Sequence, residues 1–180
     1  NLKNPNWVNE NNEYYVLTQE WLDERFAIFK TYCLPSVKNQ SNQNFKWLVF
    51  FDIDTPQPYL QKVNSIAEHY PNFTPIYIDG FKELGNALQH YIEASQPDPK
   101  AYVITTRLDN DDTIHKDFIK TIQDLYVPKA KTVIDLRLGY QVIVLNDTQT
   151  EIRRYQLPYN PFLSVISNMA DFDNIMTQKH

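Results

Sequence analysis

Hydrophobic and polar positions follow two rhythms along this chain, and the change between them organises it. From Thr18 to Val37 the apolar residues Trp21, Leu22, Phe26, Phe29, Cys33 and Leu34 recur at helical spacing. Thr18 is a ready N-cap for that helix, and Pro35 is set to kink or divide it. Phe45 to Phe51 is instead a nearly continuous apolar run closing on Asp52, the pattern of a strand buried on both faces. Further helices are predicted over 58–69, 82–94 and 116–125, the last with Phe118, Ile119, Ile122 and Leu125 on one face; strands are predicted over 74–78 and 101–106. After Pro128 β-branched residues take over. The stretches 131–136, 139–145 and 150–156 read as strands, with Asn146-Asp147 at a hairpin turn. The order αβαβαβα followed by this section implies an α/β fold: an open, mostly parallel sheet flanked by helices, with a smaller antiparallel section near the C-terminus.

Composition narrows the function classes. A chain of 180 residues, 42% hydrophobic and 14% aromatic, can bury a core, so it is read as one domain or a large piece of one. Three glycines and no G-x-x-x-x-G-K or G-x-G-x-x-G run leave no glycine-rich phosphate loop. A net charge of −5 without a Lys/Arg stripe argues against nucleic acid as a partner. Cys33 is the one cysteine, which excludes an intrachain disulfide and reads as a buried core thiol. No apolar run approaches the roughly 18 residues of a membrane span and no stretch reads as a signal peptide, which makes the cytoplasm the simplest compartment. His69, His90, His115 and His180 lack zinc-ligand spacing; the first two read as surface helix residues and His115 as a helix-start residue. The chain opens without Met on an Asn-rich stretch, Asn1 to Asn12, and stops at His180 after an apparent helical segment, as expected of a fragment.

The candidate chemistry lies at strand ends. In open parallel sheets ligands bind at the carboxyl ends of the strands. The first strand here ends in Asp52 and Asp54; the third runs into Asp109-Asn110-Asp111-Asp112. Three neighbouring carboxylates need a cation or strong donors to offset their repulsion. A D-x-D pair supplies hard oxygen ligands for Mg²⁺ or Mn²⁺, which can bridge a diphosphate and neutralise it as a leaving group. The plainer reading is a polar loop that caps the following helix through Asp112 or Thr113. A calcium loop is disfavoured because Ile114 stands where such a loop needs glycine.

The segment Tyr102-Val103-Ile104-Thr105-Thr106-Arg107-Leu108-Asp109-Asn110-Asp111-Asp112 resembles the D-x-D region of GT-A glycosyltransferases. Taken with Trp21-Leu22-Asp23-Glu24-Arg25-Phe26, Cys33-Leu34-Pro35-Ser36-Val37 and Asn44-Phe45-Lys46-Trp47, it resembles the bacterial rhamnosyltransferase family, well over roughly residues 1–125 and weakly beyond. The resemblance implies a GT-A type fold, a nucleoside-diphosphate sugar as donor, a glycan hydroxyl as acceptor and Mn²⁺ or Mg²⁺ as cofactor. It implies that residues 1–127 form the nucleotide-sugar-binding part and 128–180 part of the acceptor side. Asp52 matches a contact to the nucleotide base or ribose, and Asn86 falls in a segment opening the helix before the D-x-D strand. Asp109 and Asp111 match the metal-holding pair, Asp111 as the more direct ligand. Arg107 and Asp112 would support them, Arg107 also reaching the diphosphate. The family pattern also places a strand before Asn1-Leu2-Lys3, ending in a Thr-Arg-Phe-Asn-like segment. Transfer with inversion needs a base for the acceptor hydroxyl; Asp171 and Asp173, downstream of the D-x-D, are the candidates. Tyr155, Tyr159 and Phe162 would offer aromatic faces to a sugar.

Each assignment has a structural rival. Asp52 and Asp54 could open a turn before Pro56. Asn86 could be a cap or surface residue, Arg107 a counter-ion, and Asp171 and Asp173 surface charges on a terminal helix. The aromatics could simply be packed. Two other function classes stay open. One is a haloacid-dehalogenase-like phosphatase with Asp52 as nucleophile, although Thr55 directly follows Asp54 where that superfamily spaces the two by one residue. The other is a non-catalytic nucleotide-sugar-binding module.

Overall fold

Thr18 caps the first helix as its position demands: its hydroxyl accepts the Trp21 N–H at 3.4 Å. In the computed structural model, which describes residues 2–8, 14–146 and 148–177, this helix is α1 (Gln19–Ile28). Asn1, residues 9–13, Asp147 and residues 178–180 lie outside the described residues, and with them parts of the Asn-rich stretch and of the expected Asn-Asp turn, and His180. Pro35 does not break the helix. One π-helical turn (Phe29–Cys33), closed by the Leu34 N–H on the Phe29 carbonyl, leads straight into α2 (Leu34–Lys38), whose first turn holds the proline. The wider turn accommodates a residue that has no N–H to give and whose ring crowds the preceding turn.

The chain divides into two compact units, Asn1–Ser95 with Asp109–Leu125, and Gln96–Leu108 with Tyr126–His180. In the first, β1 (Trp47–Asp52) pairs in parallel with β2 (Phe73–Ile78), connected by α3 (Gln57–His69). Leu22, Phe26, Phe29, Cys33 and Val37 turn inward from the helical segment. Phe26 stacks on Phe51 with ring centres 6.4 Å apart, and Phe29 meets Trp47 at 5.7 Å. A short 3₁₀ turn (Phe81–Glu83) precedes α4 (Leu84–Ser95), which buries Leu84, Leu88 and Ile92 at four-residue spacing. Helix α5 (Phe118–Asp124) belongs to this unit too.

The second unit is antiparallel. Strand β7 (Ser164–Asn168) lies between β3 (Tyr102–Thr106) and β4 (Thr132–Ile134), while β5 (Leu138–Asn146) and β6 (Gln149–Gln156) form a separate hairpin. Asn146 turns the hairpin with its side-chain oxygen, which accepts the Thr148 N–H at 3.1 Å.

Helices and strands are thus mixed as expected, with antiparallel pairing after Pro128, but the sheets are small and parallel pairing is confined to β1 and β2. Three expectations need correction. Strand β1 is buried at Phe51 and Asp52 and only half-buried from Trp47 to Phe50, so its apolar run does not mark burial on both faces. Strand β3 does not extend a parallel sheet; its partner is β7, a strand the Ser-interrupted run Ser164-Val165-Ile166-Ser167 conceals from a periodicity reading. Those serines are buried, and Ser164 meets the Thr106 hydroxyl at 2.6 Å, so polar side chains there are core residues. The terminal helix is replaced, within the described residues, by two 3₁₀ turns, Met169–Asp171 and Ile175–Thr177.

Candidate functional site

Asp52, at the end of β1, is fully buried. Its carboxylate accepts the Lys3 N–H at 3.0 Å and the Asp54 N–H at 3.1 Å, and the Lys3 ammonium stands 3.4 Å away. The same ammonium pairs with Asp54, whose hydrogen bond raises the Lys3 pKa, with Asp52 adding to the effect. Opposite, the Lys3 carbonyl accepts the Phe81 N–H at 2.8 Å. Gly80 permits this approach: it sits at φ +74°, and a Cβ there would stand 3.1 Å from the Lys3 carbonyl oxygen. The Asp52 carbonyl accepts the Thr55 hydroxyl at 2.6 Å, a turn before Pro56. Lys3, which composition and spacing do not single out, is therefore the group that compensates the buried carboxylate.

Three residues beyond β3 the chain reaches the acidic turn. The Asp112 N–H donates to the Asp109 carbonyl at 3.3 Å, folding Asp109 to Asp112 on itself. Neither Asp112 nor Thr113 caps the next helix, because α5 begins only at Phe118, behind Asp117. The capping alternative therefore falls, and the acidic residues are free of that duty.

What holds the turn is the α1–α2 segment. Arg25 of α1 donates to the Asp111 carboxylate at 2.8 Å, and its guanidinium lies 5.7 Å from the Trp21 ring centre. The Cys33 thiol donates to the Asp109 carbonyl at 3.6 Å. The Ser36 hydroxyl accepts the Ile114 N–H at 3.3 Å. Gln40, buried at 4% exposure, donates to the Ser36 and His115 carbonyls at 2.9 and 2.8 Å and accepts the Ile119 N–H at 3.0 Å. The Ser41 N–H donates to the Lys116 carbonyl at 2.8 Å. A loop without regular structure is thus fixed along its length by the helical segment 19–38 and the residues just after it. Burial pushes the Cys33 thiol up to about 12, and the negative charges of Asp112, Asp111 and Asp109 add to it. Cys33 is accordingly the buried core thiol its pattern predicts, not a nucleophile.

The remaining candidates sit each within its own unit. Asn86 is exposed in the first turn of α4. In the second unit, the half-buried Arg107 follows β3 with its N–H on the Leu163 carbonyl at 3.4 Å. Asp171, exposed in its 3₁₀ turn, pairs with Lys131 at 2.9 Å and raises that lysine's pKa, and the Asp173 carbonyl accepts the Ser167 hydroxyl. Tyr155 and Tyr159 are exposed. His69 and His90 are exposed on α3 and α4, and the exposed His115 precedes α5.

The donor set decides what the acidic turn can hold. Among the described residues no three His, Cys, Asp or Glu side chains gather into a ready cation cage. The turn offers the Asp109 and Asp111 carboxylates, and one or two carboxylates are what a Mg²⁺ ion held jointly with substrate phosphates takes from protein. Arg25, Ser36 and Gln40 went unassigned in the sequence; the one available signal was Arg25, the sole cation among Glu20, Asp23 and Glu24 on α1.

No helix among the described residues is long and apolar enough to cross a membrane. No curated protein and no solved structure gives a match to this chain. A family model described as "Putative rhamnosyl transferase" matches residues 5–180, nearly the entire sequence, and the chain belongs to that family.

Proposed function

We propose that this chain transfers a glycosyl group, rhamnosyl by its family's description, from a nucleoside-diphosphate sugar to a glycan hydroxyl. The observation that carries the reading is the acidic turn: a D-x-D pair in a loop that does not cap the following helix and whose backbone is clamped by Cys33, Ser36 and Gln40. Asp109 and Asp111 hold Mg²⁺ or Mn²⁺, which when bound supplies charge neutralisation for the departing diphosphate. The clamp holds the loop backbone at Asp109, Ile114 and His115, so less of the backbone remains to be ordered when the donor arrives. Arg107 and Asp112 steady the donor phosphates and the metal pair, and Asn86 and Asp52 serve the nucleoside side, Asp52 by fixing the chain around Lys3. Asp171 or Asp173 takes the proton from the acceptor hydroxyl. In this reading the parallel β1–α3–β2 unit is part of a GT-A type arrangement, with residues 1–127 serving the donor and 128–180 the acceptor. The phosphatase alternative is disfavoured because an attacking carboxylate must reach phosphorus, and Asp52 is 0% exposed.

Isothermal titration with UDP- and dTDP-sugars, with and without Mn²⁺, tests the reading. Metal-dependent binding that disappears in Asp111→Ala supports it. Equal binding by that variant removes the metal assignment, and Asp52-dependent hydrolysis of an aryl phosphate would favour the phosphatase.

A further inference from the structure

Tyr159 takes a backbone conformation that its side chain discourages. It lies in the turn 157–160 with φ at +56°, in the left-handed region where glycine or asparagine is the ordinary occupant. Packing does not require a ring there: Tyr159 is 76% exposed, and no large hydrophobic residue among those described is more so. The strained backbone is nevertheless held firmly. Asp135 accepts the Tyr159 N–H at 3.1 Å and the Asn160 side-chain amide at 2.6 Å. Asn160, 6% exposed, also donates to the Leu136 carbonyl at 3.1 Å and accepts the Phe162 N–H at 2.8 Å. Pro158 and Pro161 stiffen the chain on both sides. A polar brace thus keeps an aromatic ring in solvent at a cost in backbone strain, and strain maintained by its surroundings clusters at ligand-holding positions.

The strand leading to Tyr159 has a matching character. Tyr155 pairs with Gly139 across the β5–β6 ladder, and the Leu157 N–H donates to the Arg137 carbonyl at 3.0 Å, carrying the pairing one step further. Tyr155, 52% exposed, therefore has no side chain opposite it, and even a Cβ at Gly139 would meet nothing within 4 Å. Alternate positions share a face, so Gln141 with Arg153 stands on one side of Tyr155 and Arg137 on the other. Open aromatic faces are thus flanked by exposed hydrogen-bonding side chains. A sugar ring uses both, its C–H face against an aromatic ring and its hydroxyls on polar side chains.

We infer, building on the proposed glycosyl transfer, that Tyr159 and Tyr155 form a platform for the acceptor glycan, with Tyr159 as the fixed ring. The two tyrosines are four residues apart, at most about 14 Å along an extended chain. Successive sugars of one glycan, not a single sugar, then reach both rings. Because the Tyr159 backbone is braced beforehand, its ordering is not left to the binding step.

The test is binding of the intact chain to an array of rhamnose, glucose and galactose oligosaccharides, from disaccharides to tetrasaccharides, without donor or metal. Wild type should retain at least one of them. Asparagine suits the left-handed backbone, so Y159N should keep or raise the thermal midpoint while saccharide affinity falls about tenfold. Y159F keeps the ring and should bind within about twofold of wild type. Y155S should weaken the longer saccharides more than the disaccharides. A midpoint lowered by Y159N makes Tyr159 a packing residue and overturns the platform. Undiminished binding by Y159N overturns it too, as does a wild type that retains no saccharide. Titration of the same proteins with UDP- and dTDP-sugars and Mn²⁺ separates the two failures. Donor binding intact where no saccharide is retained removes the platform alone; loss of both removes glycosyl transfer as well.

Discussion

The acidic loop between β3 and α5 and the β5–β6 hairpin have opposite kinds of order. The loop has no repeating backbone bonds from Asp109 to Asp117, yet the side chains of Arg25, Cys33, Ser36 and Gln40 and the Ser41 N–H fix it at five points, three of them partly buried side-chain bonds. The hairpin has a full antiparallel register, Leu138 with Gln156 through Asn146 with Gln149, but little is laid against it. One face carries Leu138, Tyr140, Val142 and Val144 with Ile152, all more than half exposed. Regular secondary structure thus marks where the backbone satisfies itself. Where a position must be held closely without a repeating ladder, side-chain contacts from a second element do the holding. Residues able to serve a reaction are expected in the first kind of region.

The contrast can be broken from either side. The largest effect is expected from Leu22→Ala, which empties a fully buried site in the helix that carries the clamp. Thermal or denaturant unfolding should record a loss of about 3 kcal/mol. Gln40→Ala leaves the Ile119 N–H and the His115 carbonyl without their partner. It should cost about 1–3 kcal/mol, and hydrogen exchange should quicken from Ile114 to Ile119 before it does elsewhere.

A pH effect comes next. Because the folded Cys33 thiol titrates near 12 and the unfolded one near its ordinary 9.0, its contribution is fully present below pH 9. Stability should then fall as pH rises from 9 toward 12, by at most about 1.4 kcal/mol per pH unit. Cys33→Ala should flatten that slope in equilibrium unfolding; an unaltered slope would assign the alkaline loss to other groups. The smallest effect is expected on the hairpin. Val142→Thr or Ile152→Thr should shift stability by no more than about 0.5 kcal/mol, since neither side chain gives up a buried contact. A loss as large as that of Gln40→Ala would mean the hairpin face is covered in solution.

Much of the first unit was legible in the residues themselves. The Thr18 cap, the helical spacing through Val37 and the run into Asp52 each depend on local pattern, and each element stands where that pattern puts it. Pro35 announced a disturbance, but a π turn is a choice among several responses to proline, and spacing does not select it. The second unit was harder because its central strand sets two serines around Val165-Ile166, and whether a serine faces water or a neighbouring threonine is a tertiary matter. At the site the acidic residues were visible at once, since clustered carboxylates are unusual in any sequence. Their supports were not: Arg25, Ser36 and Gln40 lie some 70 to 90 residues away from the groups they hold, and nothing local marks such a pairing.

Cys33 gives the molecule a clock. It is the sole thiol in the chain, it is buried, and it is bonded to the carbonyl of Asp109. At neutral pH almost none of it is thiolate, so an alkylating or disulfide reagent must wait for the segment to open. When reclosing is fast, the labelling rate divided by that of the unfolded chain is the population of the open form. Any ligand that steadies the acidic turn should slow that single reaction in proportion to its occupancy, whatever sugar it carries.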